Sequence, residues 1–82
     1  MTIEIEKNIF EIVKNILNID NIESSEADLT QHGMESIKFI QIVISMENQF
    51  NIEIPDNKLL INEMQTISKM IDVVKHVLNL GE

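Results

Sequence analysis

The chain has 82 residues, no cysteine and a formal charge of −8, from 14 acidic residues and six basic ones. This length allows one small hydrophobic core, and the lack of cysteine excludes disulfides, a thiolate nucleophile and the usual structural zinc ligand sets. The negative charge argues against binding to nucleic acid or to anionic membranes and favours a protein partner with a basic patch.

The N-terminal sequence also bears on location. It lacks the basic segment and the uninterrupted apolar run of a signal peptide, and no stretch approaches the length of a transmembrane helix. We therefore expect a cytoplasmic protein. We also expect a monomer with a single domain over residues 1–82.

The first predicted helix spans residues 3–18. Thr2 is its predicted N-cap, and Phe10 and Leu17 are predicted to lie to one side of its buried face. Apolar residues at helical spacing predict that face to consist of Ile5, Ile9, Ile12, Val13 and Ile16.

The next segment, residues 19–35, has no helical or strand period and is rich in turn-forming residues. A loop of this length is uncommon in a compact domain, so it indicates either a functional segment or a wrong assignment. Ile22, Ala27 and Leu29 are predicted to attach it to the core. The segment contains no lysine and five acidic residues: Asp20, Glu23, Glu26, Asp28 and Glu35.

The second predicted helix spans residues 36–50 and has two apolar stripes. The first is predicted to face the core and consists of Phe39, Ile42, Val43, Met46 and Phe50. The second consists of Ile37, Ile40 and Ile44. Two explanations remain open for it: another helix covers it, as in small bundles, or it is an exposed interaction surface.

The remaining sequence predicts a short helix and a last long one. Residues 51–57 are predicted to end the second helix, where Pro55 disfavours the helical conformation at Ile54, and Asp56 is the predicted cap of a short helix over 57–62. The last helix is predicted over 66–79, with Thr66 as N-cap and Gly81 as the stop. Its predicted buried face consists of Ile67, Met70, Ile71, Val74 and Leu78. These elements predict an all-α fold, a small four-helix bundle with three main helices, one short helix and a long first loop.

Few residues carry chemistry that an enzyme needs. His32 and His76 lie in different segments, and neither has a partner at metal-ligand spacing. The segment from Gly33 to Ile37 is not a nucleophile elbow, because Ile37 stands where the second glycine belongs. We therefore predict that the protein is not an enzyme and holds no metal.

Ser36 has two interpretations. It is a good N-cap residue, and many helices start with serine. A serine hydroxyl at a helix N-terminus is also well placed to carry a phosphate ester, because backbone N–H groups and the positive end of the helix dipole lie beside it.

Two segments resemble the family of acyl and peptidyl carrier proteins. Residues 28–43, DLTQHGMESIKFIQIV, resemble the family's phosphopantetheine attachment motif, whose usual core is Gly-x-Asp-Ser followed by Leu or Ile. Residues 47–55, ENQFNIEIP, resemble the segment that ends the family's second long helix. Length, acidity, the long first loop and the helix order agree as well, so the resemblance covers essentially the whole chain.

The resemblance implies a function for Ser36. Its hydroxyl would carry 4′-phosphopantetheine, installed from coenzyme A by a phosphopantetheinyl transferase that binds Mg²⁺ itself. The thiol of the arm would hold acyl or aminoacyl groups as thioesters, and the protein would shuttle them between loading and condensing enzymes without catalysing a reaction. The positions that match the family's partner-facing residues are Met34, Glu35, Ile37, Ile40 and Ile44.

Three residues depart from the family pattern. Glu35 replaces the usual aspartate, which keeps the charge but changes the capping geometry. Lys38 and Gln41 stand at positions that are acidic in fatty-acid carriers. This apolar second helix with a basic spot favours a freestanding carrier of polyketide or nonribosomal peptide biosynthesis.

Other functions stay open at this point. Within the family, the alternatives are a fatty-acid-synthesis carrier and a D-alanyl carrier. Outside it, the alternative is an acidic helical adaptor that binds a partner through Ile37, Ile40 and Ile44, with Ser36 as a cap only. A hydrolase that uses Ser36 is the least favoured class.

Overall fold

Three α-helices form the framework. The computed structural model describes the backbone of residues 2–78 and the side chains of residues 4–78. The α-helices are α1 (Thr2–Leu17), α2 (Ser36–Phe50) and α3 (Ile67–Val77). The segments between them contain 3-10 turns at Leu29–His32, Asp56–Lys58 and Ile61–Glu63. The predicted all-α class, with three main helices and a long first connection, is confirmed.

The buried face of α1 follows a row at four-residue spacing. Its buried residues are Ile5, Ile9, Val13 and Leu17. Ile12 and Ile16, which were predicted to face the core, are only partly buried, and Leu17 was wrongly predicted to lie beside it. The reason is that α1 packs against both α2 and α3. A four-residue row turns slowly around the helix axis and can serve two neighbours.

The end of α1 is closed by a left-handed residue. Asn18 has φ 58°, and the N–H of Ile19 donates to the carbonyl of Lys14 over 3.1 Å, the bond expected of a Schellman motif. The prediction that Thr2 caps this helix concerns a side chain outside the described residues. The prediction that Gly81 stops the last helix also lies outside them.

Helix α2 has the predicted bounds and the predicted core face. Phe39, Ile42, Val43 and Met46 are buried and Phe50 is partly buried. The helix ends at Asn51 in the left-handed conformation, at φ 55°. Glu47 then holds the following segment, because its carboxylate accepts a hydrogen bond of 2.9 Å from the N–H of Ile54.

The short helix predicted over 57–62 is wrong. Two 3-10 turns occupy this region, and the Asp56 side chain caps neither of them. Leu59 (ψ 53°) and the extended Leu60 interrupt the helical conformation between the turns. This break leaves Leu60 half-exposed while Met64 is fully buried.

Helix α3 begins as predicted. The Thr66 hydroxyl accepts a hydrogen bond of 3.1 Å from the N–H of Lys69, which is the N-cap interaction. The buried face consists of Ile67, Met70, Ile71, Val73 and Val74. Leu78, which was predicted to share this face, is only partly buried.

The long first connection is tied to the start of α3. The N–H of Leu29 donates to the carbonyl of Gln65 over 2.8 Å, and the N–H of Ser68 donates to the carbonyl of Ser25 over 2.9 Å. Ile22 and Leu29 are buried and Ala27 packs against the core, as predicted. Within residues 2–78, no helix combines the length and the apolar character that a membrane crossing requires.

Candidate functional site

The chain approaches α2 through a capped 3-10 turn. The Asp28 carboxylate accepts hydrogen bonds from the Thr30 hydroxyl (2.6 Å) and from the Thr30 N–H (3.0 Å). These two bonds, the hydroxyl first, lower the pKa of Asp28 below its ordinary value. The turn at Leu29–His32 therefore has a charged cap at neutral pH.

A glycine reverses the chain between this turn and α2. Gly33 adopts φ 96°, where an L side chain is strained. The N–H of the next residue, Met34, donates to the carbonyl of Leu29 over 3.1 Å. Met34 is buried in the core. Its predicted place on the partner-binding surface is therefore wrong, because the reversal turns this side chain inward.

Ser36 is the first residue of α2, and its side chain is exposed. The cap position belongs to Glu35, whose side chain makes no capping hydrogen bond. The first hydrogen bond of the helix runs from the N–H of Phe39 to the carbonyl of Glu35, over 2.7 Å. The interpretation of Ser36 as an N-cap is therefore wrong.

The first turn of α2 suits an anion on Ser36. The N–H groups of Ser36, Ile37 and Lys38 precede the first intrahelical bond, so α2 supplies them with no acceptor. Within residues 4–78, no side chain caps them. Together with the positive end of the helix dipole, these donors form a setting in which a phosphodiester is stabilised.

The second stripe of α2 is exposed. Ile37, Ile40 and Ile44 keep 69%, 49% and 51% of their surface in contact with solvent. We call these three residues the isoleucine strip. Two of its residues, Ile37 and Ile40, line a shallow, open cleft together with Ser36 and Gln41. Of the two explanations for this stripe, burial under another helix fails for the described part of the chain.

Lys38 makes a contact that its position in the sequence did not predict. Its ammonium group donates to the carbonyl of Ile16, near the end of α1, over 3.1 Å. The predicted basic spot on the surface of α2 is therefore engaged with α1. A lysine in the first turn of a helix opposes the helix dipole, and this was the one signal in the sequence that it interacts elsewhere.

The acidic residues lie along the loop that leads to Ser36. Asp20, Glu23, Glu26 and Glu35 are exposed, and Asp28 is partly buried. His32 lies 3.6 Å from the Glu23 carboxylate, measured from Nε2 to Oε1. In chain order, exposed acidic side chains thus precede Ser36 and the isoleucine strip follows it.

Comparisons with known proteins point to one family. The family model for the phosphopantetheine attachment site matches residues 7–74. An aminoacyl carrier protein of Agrobacterium fabrum is 36% identical over 61 residues, which cover 74% of this chain and 72% of that protein. Acyl carrier proteins of Wolinella succinogenes and Buchnera aphidicola are 32% and 28% identical, over 85% and 88% of this chain and 88% and 91% of their own lengths.

The chain is a small helical protein with an exposed serine at the start of α2. The chain belongs to the family of phosphopantetheine-binding carrier proteins. Members of this family are not catalysts, and they interact with phosphopantetheinyl transferases and with the enzymes of their pathways. The residues present fit the prosthetic group, because an exposed hydroxyl and uncapped N–H donors lie together at the start of α2.

Proposed function

We propose that Ser36 carries the 4′-phosphopantetheine of this carrier protein. The observation that supports this most is the combination of an exposed serine hydroxyl with an uncapped helix start. The arm supplies the thiol that the cysteine-free chain lacks, and with it thioester chemistry. The chain itself keeps the Ser36 hydroxyl exposed to solvent. The N–H groups of the first turn of α2 then stabilise the negative phosphodiester.

We further propose that the isoleucine strip and Glu35 form the surface that partner enzymes bind. Half-exposed isoleucines at helical spacing beside the attachment serine bury apolar area when a partner docks. The exposed carboxylates of residues 20–35 then attract a basic patch on the partner and orient it during encounter. Glu35 joins the two parts, since it is exposed and directly precedes Ser36.

For the cargo, we propose an acyl or aminoacyl group of specialised biosynthesis of the polyketide or nonribosomal peptide type. Between Glu35 and Glu47, α2 has no acidic residue, and its single lysine is engaged with α1. A partner must therefore recognise an apolar helix face here. The relative in Agrobacterium fabrum, named as an aminoacyl carrier protein, supports an aminoacyl group.

A fatty-acid-synthesis carrier is the second candidate. The observation in its favour is that relatives named as acyl carrier proteins match along 85% and 88% of this chain. The intact mass of the protein isolated from its own host distinguishes the two candidates. A saturated acyl chain on the arm would favour fatty-acid synthesis, and an aminoacyl group would contradict it.

The first experiment tests the attachment residue. The purified protein is incubated with coenzyme A, Mg²⁺ and a broad-specificity phosphopantetheinyl transferase, and its intact mass is measured. We expect a gain of one phosphopantetheine in the wild-type protein and in Ser45→Ala, and none in Ser36→Ala. Ser45 is a matched control, because it lies on the same helix and is partly buried away from the cleft at Ser36.

The outcomes separate the competing functions. If neither the wild-type protein nor Ser45→Ala is loaded by several transferases, the adaptor function replaces the carrier function for this surface. If Ser36→Ala is loaded as well as the wild-type protein, the carrier function stands and the attachment residue is a different one.

A further inference from the structure

Lys38 is the residue of α2 whose contact is not explained by the carrier function. It lies two positions after Ser36, and its ammonium reaches the carbonyl of Ile16 over 3.1 Å across the junction of α1 and α2. The bond is partly buried and joins residues 22 positions apart in the chain. Two residues apart on a helix do not face each other, so this ammonium points away from Ser36.

The acceptor explains why a lysine is favoured here. The last carbonyl groups of a helix have no intrahelical partner, and they carry the negative end of its dipole. At the end of α1, the carbonyl of Lys14 is bonded to Ile19, and the carbonyl of Ile16 is bonded to Lys38. Lys38 therefore supplies a charged donor to the carboxyl end of α1, where a positive charge is favourable. The same charge lies in the first turn of α2, where it opposes the dipole of that helix.

The start of α2 has few other attachments. Glu35, Ser36 and Ile37 are exposed, and the cap position makes no side-chain hydrogen bond. Met34 and Phe39 are the buried anchors on either side. Among the described residues, the bond of Lys38 is the one side-chain hydrogen bond that ties the first turn of α2 to another element.

We infer that Lys38 is a positioning residue that holds the uncapped first turn of α2, and with it Ser36, against the end of α1. A side-chain cap would hold the turn equally well, but it would occupy N–H donors that face the phosphodiester. The bond from Lys38 to the carbonyl of Ile16 anchors the turn and leaves those N–H donors free. This inference rests on the proposal that Ser36 is the attachment residue.

The test compares three variants in the loading reaction. Lys38→Met removes the charge and the donor, and Lys38→Arg keeps both. Lys69→Met is the matched control, because Lys69 also donates to a main-chain carbonyl, that of Asn62 over 3.2 Å, but far along the chain from Ser36. We expect Lys38→Met to lower the kcat of loading about fivefold, with KM changed by less than about twofold because the isoleucine strip is intact.

The comparison of kcat with KM separates positioning, which should lower kcat, from a net-charge effect, which should change KM. Loss of a lysine makes the protein more negative, and a pure charge effect would strengthen encounter with a basic transferase and lower KM. Lys38→Arg and Lys69→Met should load at the wild-type kcat. A wild-type kcat in Lys38→Met, with or without a lower KM, would overturn the inference.

A second measurement does not depend on loading. The amide hydrogen of Phe39, which bonds to the carbonyl of Glu35, should exchange about fivefold faster in unloaded Lys38→Met and unchanged in Lys69→Met. If the wild-type protein is not loaded at all, the attachment proposal fails while this exchange rate still decides whether Lys38 anchors the turn. Unchanged exchange in Lys38→Met would overturn the anchoring. Should Lys38→Met not fold, Lys38→Leu gives the same comparison, because leucine also lacks the charge and the donor.

Discussion

The two faces of α2 have the same chemistry and opposite environments. The core face places Phe39, Ile42 and Val43 at 4% exposure or less, whereas the isoleucine strip is half-exposed or more. Ile42 and Ile44 are two positions apart, so the helix geometry alone places them on different sides of α2. The comparison teaches that apolar residues on one helix can contribute either to stability or to recognition, depending on what covers them.

The largest expected effect is on stability and should separate the two faces. Ile42→Ala removes a fully buried side chain and should cost about 3 kcal/mol of the free energy of unfolding, or roughly 15 °C in melting temperature. Ile44→Ala, at 51% exposure, should change that free energy by less than about 0.5 kcal/mol. Thermal melts followed by circular dichroism measure both. Equal losses in the two variants would remove the distinction between the faces.

The second effect should appear in partner binding. Ile40→Ala and Ile44→Ala should each lower kcat/KM for loading about tenfold, because a buried anchor in an interface contributes more than about 1 kcal/mol. Gln49→Ala, an exposed and uncharged position of the same helix, is the control. Loading kinetics at low salt give the values. If both isoleucine variants load like Gln49→Ala, the isoleucine strip is not the docking surface.

The third effect concerns the turn that leads into α2. Gly33→Ala should cost about 1–2 kcal/mol of stability, because a side chain at φ 96° is strained. Apart from Gly33 and its two chain neighbours, no atom of the described residues lies within 4 Å of the added methyl group, so the loss measures backbone strain alone. Denaturant unfolding gives the free energy. A stability equal to that of the wild-type protein would show that the left-handed turn is not needed to reach Ser36.

The fourth effect is the response to salt, which should distinguish the acidic loop from the isoleucine strip. Raising ionic strength from low to about 0.5 M should slow loading about threefold, because screening weakens the attraction between exposed charges. A Glu23→Gln and Glu26→Gln double variant should lose much of this dependence. The loading rate of Ile44→Ala, divided by that of the wild-type protein, should stay constant as the ionic strength rises. A loading rate independent of salt would contradict steering by the loop.

The smallest expected effect is the loosening of the 3-10 turn in acid. The pKa of Asp28 is lowered in the folded protein, so its contribution is present above the ordinary carboxyl value and is lost as the pH falls below about 4. The amide of Thr30, which donates to this carboxylate, should then show a shift change in an NMR titration. Asp28→Ala should abolish that titration. A midpoint above the ordinary value would contradict the bonded turn.

Much of this protein was determined by local sequence. The bounds of α2, the cap at Thr66 and the turn at Asn51 follow from periodicity and from residues whose effects act within one helical turn. The two apolar stripes of α2 also follow from a period of 3.6 residues. The attachment residue was predicted from a short motif and its resemblance to a family. These features need no knowledge of which elements touch.

Other features were decided only by the tertiary structure. Periodicity does not say whether a second stripe is covered, so the exposure of the isoleucine strip depended on where α1 and α3 lie. Leu17 was misplaced for the same reason, and Met34 was misplaced because the reversal at Gly33 turns its side chain into the core. Lys38 finds its acceptor 22 residues earlier in the chain, and only the packing of α1 against α2 brings that carbonyl within reach. The place of Lys38 in the first turn of α2, where its charge opposes the helix dipole, signals an interaction elsewhere. It does not name the acceptor, because long-range contacts of this kind arise from the fold.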